Sequence, residues 1–138
     1  MSNFRLVILT PEKEIFNGDI ERVLVPTDRG SLTVLFRNYP VLSLLQTGII
    51  TVKKENLNQQ THYAISHGVM NSKRDTVYIL GGAIERSDQI DVARALAAKE
   101  RAEARIDKGL HGNNIDIQRA QAALNRALTR LKVSSIND

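Results

Sequence analysis

IDVARALAAKERAEARI, residues 90–106, returns as IDIQRAQAALNRALTRL at residues 115–131. The identical pairs are Ile90/Ile115, Asp91/Asp116, Arg94/Arg119, Ala95/Ala120, Ala97/Ala122, Ala98/Ala123, Arg101/Arg126, Ala102/Ala127 and Arg105/Arg130. Alanine and long unbranched side chains, the strong helix formers, dominate both stretches. Between them Lys108-Gly109-Leu110-His111-Gly112-Asn113-Asn114 breaks the pattern. Gly109 and Gly112 supply stop signals, and Asn113 or Asn114 is the expected cap of a second helix that ends near Val133. For the first helix Ser87 or Asp88 is the expected cap, with Asp91 in the first turn, where a carboxylate suits the helix dipole. That helix is expected to run to about Ile106. A connection this short makes the two helices neighbours, hence an antiparallel hairpin.

Ala95, Ala98 and Ala102, like Ala120, Ala123 and Ala127, have i, i+3, i+7 spacing. Small side chains on both helices allow close approach along a seam. Such a seam buries little apolar area, so the hairpin is expected to be weakly held and able to rearrange. Beside it, Arg94, Arg101 and Arg105 fall within roughly 40° of one another at about 100° per residue, and Arg119, Arg126 and Arg130 do the same. Two readings are open. One is a solvated face with i,i+4 pairing to Glu100 and Glu103. The other is an anion site, because arginine forks match phosphate or carboxylate; the anion is then a nucleotide phosphate or an acidic loop of a partner protein. Nucleic acid is not expected: 3 Tyr, 3 Phe and no Trp leave few surfaces for bases to stack on.

Residues 1–85 have a different composition, rich in Val, Ile and Thr, as strands are. Short apolar runs alternate with turn signals: Phe4 to Leu9, Ile20 to Val25, Ser31 to Phe36, Val41 to Leu45, Ile49 to Val52, Thr61 to Ser66 and Thr76 to Leu80. This spacing predicts an antiparallel sandwich or barrel. The expected fold is therefore β + α, an N-terminal antiparallel β-sandwich over 1–86 followed by an α-helical hairpin over 87–138. Val34 to Leu45 is apolar enough that any part left outside the core would be an interface.

The remaining chemistry is sparse. With no Cys, disulfides, thiol catalysis and Cys-ligated metal are excluded. His62 and His67 are five apart, which puts them on opposite faces of an unbroken strand, so no metal pair is expected. His111 falls in the inter-helix turn. Ser66 and His67 are adjacent, so their side chains point apart. Gly81-Gly82 lies in no phosphate-loop motif. No catalytic constellation forms, and a non-catalytic protein is expected. No apolar run approaches the roughly 20 residues that span a bilayer. The opening MSNFRLVILTPEKE has neither the basic start nor the small-residue site of a signal peptide.

Several pieces in sequence order resemble one family. Leu6 to Phe16 (LVILTPEKEIF), Val23 to Gly30 (VLVPTDRG), Gly81 to Arg86, Ile90 to Ala95 as an [IL]-D-x-x-R-A motif, and Ala123 to Val133 (ALNRALTRLKV) are similar to the epsilon subunit of bacterial F-type ATP synthases. The resemblance implies a sandwich of about ten short strands that binds the gamma subunit and rests on the membrane rotor (c) ring. It implies a hairpin with two states, folded on the sandwich or extended along gamma into the catalytic alpha/beta head, where it restrains ATP hydrolysis. In the extended state Arg119, Arg126, Arg130 and Lys132 would make the inhibitory contact. In the folded state the [IL]-D-x-x-R-A motif binds ATP in some members; by resemblance the ligand would meet Glu85, Ile90, Asp91, Arg94 and Ala95, with Arg126 and Arg130 at the phosphates. No cofactor is required, and ATP is a regulatory ligand. The family's place is peripheral, on the cytoplasmic face of the bacterial membrane, without insertion. One stretch departs from the pattern. Near residues 30–42 the family reads close to G-E-F-G-V-L-P-G-H-A-P-L, whereas this chain has GSLTVLFRNYPVL. Arg37, Asn38 and Tyr39 stand where the family's loop meets the ring.

Overall fold

The computed structural model describes residues 3–35, 41–54, 58–112 and 116–136. Ten strands are seen among them: β1 (Phe4–Leu9), β2 (Glu14–Ile20), β3 (Arg22–Thr27), β4 (Gly30–Leu35), β5 (Val41–Leu45), β6 (Gly48–Lys53), β7 (Gln60–Ile65), β8 (Gly68–Lys73), β9 (Thr76–Gly81) and β10 (Ile84–Arg86). A 3₁₀ turn, Ser87–Gln89, leads into α1 (Val92–Leu110) and then α2 (Ile117–Ser134).

The strands make two layers. One holds β10, β7, β6, β3 and β4; the other holds β5, β8, β9, β1 and β2. They join at one corner, where Thr27 of β3 pairs with Leu45 of β5. Period-two patterning closes the core between them. In β3 the buried side chains are Val23 and Val25, in β9 they are Val77 and Ile79, and Leu6, Ile8, Ile20, Ile50, Val52, Ile65 and Met70 are among the others in the interior.

The sandwich is not wholly antiparallel. β1 and β9 run parallel, with Arg5 opposite Thr76 and Leu9 opposite Leu80. A parallel pair needs a long crossover, and here the crossover is most of the sandwich itself. Strands β2, β8 and β10 lie where the apolar runs gave no signal. β2 carries Asn17, Gly18 and Asp19, β8 carries Asn71 and Ser72, and β10 spans only three residues.

The helix boundaries also correct the sequence reading. Asp91, not Ser87 or Asp88, caps α1, because the chain first makes the 3₁₀ turn. Helix α1 continues past Ile106 and through Gly109 to Leu110; a glycine inside a helix costs only about 1 kcal/mol, and the stop is Gly112, whose φ of 86° suits glycine. Asp116 caps α2, in place of Asn113 or Asn114, which lie outside the described residues.

The hairpin lies folded on the sandwich. Contact runs mainly through α2, on β6 and β7. Ile49 and Ala64 are cross-strand partners whose outer face packs with Ile90 and with the fully buried Val133. Between the helices Ala95, Ala102, Ala120 and Ala127 are buried, as the seam requires.

Candidate functional site

The cap chemistry explains the repeated motif. Asp91 Oδ1 accepts from the Arg94 backbone N–H at 3.1 Å, and Asp116 Oδ1 accepts from the Arg119 N–H at the same distance. In each copy the aspartate therefore satisfies an orphan donor of the first turn and fixes where the first arginine starts. In the first copy that turn opens onto a cleft.

The cleft has a volume of about 870 Å³, within the range of small-molecule sites. Its sandwich side is the turn Thr10, Glu12 and Lys13, with Gly82, Ala83, Ile84 and Glu85. The β1–β9 register explains this wall: Leu9 beside Leu80 carries the turn after β1 next to the turn after β9. Where β8 begins and β9 ends, Gly68 pairs with Gly81, and a Cβ on Gly68 would sit 2.2 Å from the Leu80 carbonyl oxygen. The helical side is Gln89, Ile90, Asp91, Arg94, Ala95, Ala98, Arg101 and Arg130. Across it Arg130 Nε meets Glu85 Oε1 at 2.7 Å, an ion pair that joins α2 to β10.

Six of the seven candidate ligand residues thus line one cleft: Glu85, Ile90, Asp91, Arg94, Ala95 and Arg130. Arg126 does not. It lies on an adjoining trough of about 300 Å³ between the helices, with Arg101, Arg105, Arg119, Arg130 and the alanines Ala98, Ala102, Ala120 and Ala123. The sequence reading missed Glu12 and Lys13, which only the parallel pairing brings here. The helical pairing to Glu100 and Glu103 is not made: among the described residues no ion pair engages Arg94, Arg101, Arg105, Arg119 or Arg126.

Lys132, the fourth residue of the expected inhibitory contact, faces away from the cleft, on a second hollow of about 910 Å³ formed with Asp28, Leu44, Thr47, His67 and Leu128. Arg37, Asn38 and Tyr39 lie outside the described residues. His62 is buried and exchanges a hydrogen bond with Thr51 Oγ1 at 3.0 Å. Among the described residues no group of three or more His, Asp or Glu is placed to hold a metal ion. Among the described residues three ionisations are shifted, all at the junction and not in the cleft. Burial pushes the Tyr63 hydroxyl up. The hydrogen bond between Arg86 and Asp88 raises the guanidinium and holds the exposed carboxyl below its usual range.

Residues 3–87 match the family described as ATP synthase, Delta/Epsilon chain, beta-sandwich domain, and residues 88–135 match its long alpha-helix domain. The chain belongs to the ATP synthase delta/epsilon family. Its relatives include the ATP synthase epsilon chain of Desulforamulus reducens, 38% identical over 130 residues, which are 94% of this chain and 96% of the relative. That of Shouchella clausii is 39% identical over 134 residues, covering 97% and 96%. A chain in the cryo-EM structure of the Euglena gracilis mitochondrial ATP synthase (OSCP/F1/c-ring, rotational state 1) shares the fold with a TM-score of 0.81 at 19% identity, over 96% of this chain and 81% of that one. A chain of the Tetrahymena thermophila mitochondrial ATP synthase central stalk and c-ring aligns with a TM-score of 0.54 at 16% identity, over 95% and 92%. No helix of the described residues is long and apolar enough to cross a membrane.

Proposed function

We propose that this delta/epsilon family member is a non-catalytic central-stalk subunit, in which the sandwich is a fixed adaptor and the hairpin a mobile brake on ATP hydrolysis. The observation that carries the reading is the unequal attachment of the two parts. The sandwich closes around a continuous core, whereas the hairpin is held to it by a patch of Ile49, Ala64, Ile90 and Val133 and the Arg130–Glu85 pair. Little has to be given up for the helices to leave. On leaving they would present Arg119, Arg126, Arg130 and Lys132 to an acidic surface of the alpha/beta head.

The adaptor role has its own support. On the outer face of the second layer, Leu42 and Leu44 of β5 stand across β8 from Tyr78 and Leu80 of β9. Leu42 is 75% and Leu44 72% exposed, an apolar patch suited to the gamma subunit. The rotor ring is the partner of the divergent loop around Arg37, Asn38 and Tyr39, and the subunit lies peripherally on the cytoplasmic face of the membrane. The test is ATP hydrolysis by the catalytic head, stripped of this subunit and given back either the full chain or a chain ending at Arg86. Binding of both with inhibition by the full chain alone is expected. Inhibition by both, or binding by neither, overturns the reading.

A second reading is favoured by the cleft itself. Its size and its Arg94, Arg101 and Arg130 suit a nucleoside triphosphate, with Glu85 toward the base, so ATP would act as a regulatory ligand that holds the hairpin folded. Such a ligand shifts the population only by its preference for one state. Titration of the full chain with ATP should move amide signals of α1 and α2; no movement up to millimolar ATP would remove the sensor.

A further inference from the structure

The second hollow lies where α2 passes the end of the sandwich, and two bodies line it. The sandwich gives Leu44 and Leu45 at the end of β5, with inter-strand turns at Asp28, at Gln46-Thr47 and at Ser66-His67. The Thr47 hydroxyl donates to the Ser66 carbonyl and ties two of these turns together. Helix α2 gives Asn125, Leu128, Thr129 and Lys132, spaced i, i+3, i+4, i+7 on one face. At about 100° per residue this face is turned away from Arg119, Arg126 and Arg130.

The internal repeat shows what is unusual about it. At the offset of 25, α1 has Glu100, Glu103 and Asp107 where α2 has Asn125, Leu128 and Lys132. The α1 carboxylates are exposed, as on the solvent side of a surface helix. In α2 all three negative charges are gone, and Leu128 is 42% exposed beside the hollow. Leu128 is not isolated. The same hollow exposes Leu44, which ends the cross-strand row Leu44, Val69 and Leu80 on the outer face of the second layer. The apolar surface therefore continues from the sheet patch, round the end of β5, onto α2, and a continuous surface of this kind marks an interface.

We propose that the partner seated on the sheet patch also grips α2 through this hollow, and so latches the hairpin in its folded state. The proposal rests on the adaptor reading above, in which that partner is the gamma subunit. The occupant of the hollow is an apolar side chain of that partner, set between Leu44 and Leu128. Among the described residues neither Asp28 nor Lys132 has an ion pair, so a base facing the first and an acid facing the second fix the partner's orientation. Leu44 and Leu128 line one hollow only while the hairpin is folded. The contact is therefore differential: the partner binds the folded chain more tightly, and by reciprocity it holds the hairpin down. Lys132 ties the latch to the brake. It lines the hollow in the folded chain and belongs to the inhibitory contact proposed for the extended one, so it serves either state but not both.

The chain has no cysteine, so Thr33→Cys with Lys108→Cys places a dye pair on the sandwich and the hairpin. The labelled full chain is titrated with the isolated gamma subunit, which offers no alpha/beta surface to draw the hairpin out, and affinity and dye distance are read together. The bound hairpin is expected to keep its folded distance. Leu128→Glu, which restores the residue type of the first copy, should weaken binding about tenfold and move the bound hairpin toward an extended distance. Leu44→Glu should weaken binding at least as much. Glu103→Leu, the mirror change in α1, should alter neither reading. If neither Leu44→Glu nor Leu128→Glu changes affinity, the patch is not the seat, and the adaptor reading falls together with the latch. If Leu44→Glu weakens binding and Leu128→Glu does not, the seat stands and the latch is overturned. A Leu128→Glu loss accompanied by a shift toward the folded distance would also overturn it, because Leu128 would then serve the extended state. So would an equal loss from Glu103→Leu.

Discussion

The two halves of this chain are built on opposite economies of side-chain size. The sandwich interior is made of large apolar residues, and Leu6, Ile8, Ile20, Ile50, Ile65 and Met70 are fully buried. The buried residues between the helices are alanines, and among the described residues the hairpin is anchored to the sheet by Ile90 and Val133 with the Arg130–Glu85 pair. Burial stabilises in proportion to apolar area, so the sandwich is the stable body and the hairpin the labile one. The difference teaches that side-chain volume alone can set how firmly one part of a chain is held to another.

The largest effect that sharpens this contrast is expected in the sandwich. Ile20→Ala should cost about 3 kcal/mol in urea unfolding of the full chain, from lost transfer energy plus a cavity. A loss below about 1 kcal/mol would mean that the core relaxes as freely as the hairpin. Next comes Ala127→Leu, which forces bulk into a seam position that is 1% exposed. Overpacking of this kind costs about 1–3 kcal/mol. Amide exchange should speed up in α1 and α2 and stay unchanged in β1, β3 and β9; equal acceleration everywhere would mean the two halves unfold as one unit.

A smaller effect is expected from Glu85→Gln. The Arg130–Glu85 pair is about one-third exposed on both sides, so its loss should weaken hairpin protection by about 0.5 kcal/mol. Unchanged exchange in α2 would show that the apolar patch alone holds the helices down. The smallest effect is the one at the junction. The Asp88 carboxyl is depressed in the folded chain by its hydrogen bond from Arg86, so the pair adds stability above the ordinary aspartate range and loses it as pH falls through the lowered value. The stability gap between the native chain and Asp88→Asn should be present at neutral pH and close on acidification. A gap that widens in acid would reverse the sign of the linkage.

Much of this architecture was legible because strand and helix write different periods. Phe4–Leu9 and Val41–Leu45 have the bounds their apolar runs suggest, and four of the six seam alanines, Ala95, Ala102, Ala120 and Ala127, are buried, while Ala98 and Ala123 are only half-buried. What stayed hidden depends on partners far away in sequence. β8 is held by its neighbours, with the buried Ser72 between Val41 and Val77, so its own residues look like a loop. The cleft was half legible. The repeated Ile-Asp-x-x-Arg gave its helical wall, though the structure gives the aspartate an additional duty as a cap, evident from its twin at Asp116. Glu12 and Lys13 carry no local sign of a site; they are there because β1 lies parallel to β9.

That parallel pairing also orders events on the ribosome. The first strand emerges early and can pair with β2, where Arg5 faces Asp19, but its other edge has no partner until Thr76 has been made, and a contact of such long separation is slow to form. The sandwich therefore closes late, with one edge of the apolar β1 left open until β9 is made. The hairpin is synthesised last and emerges onto a platform that is only then being completed. A truncation that removes β9 would leave β1 held by β2 alone.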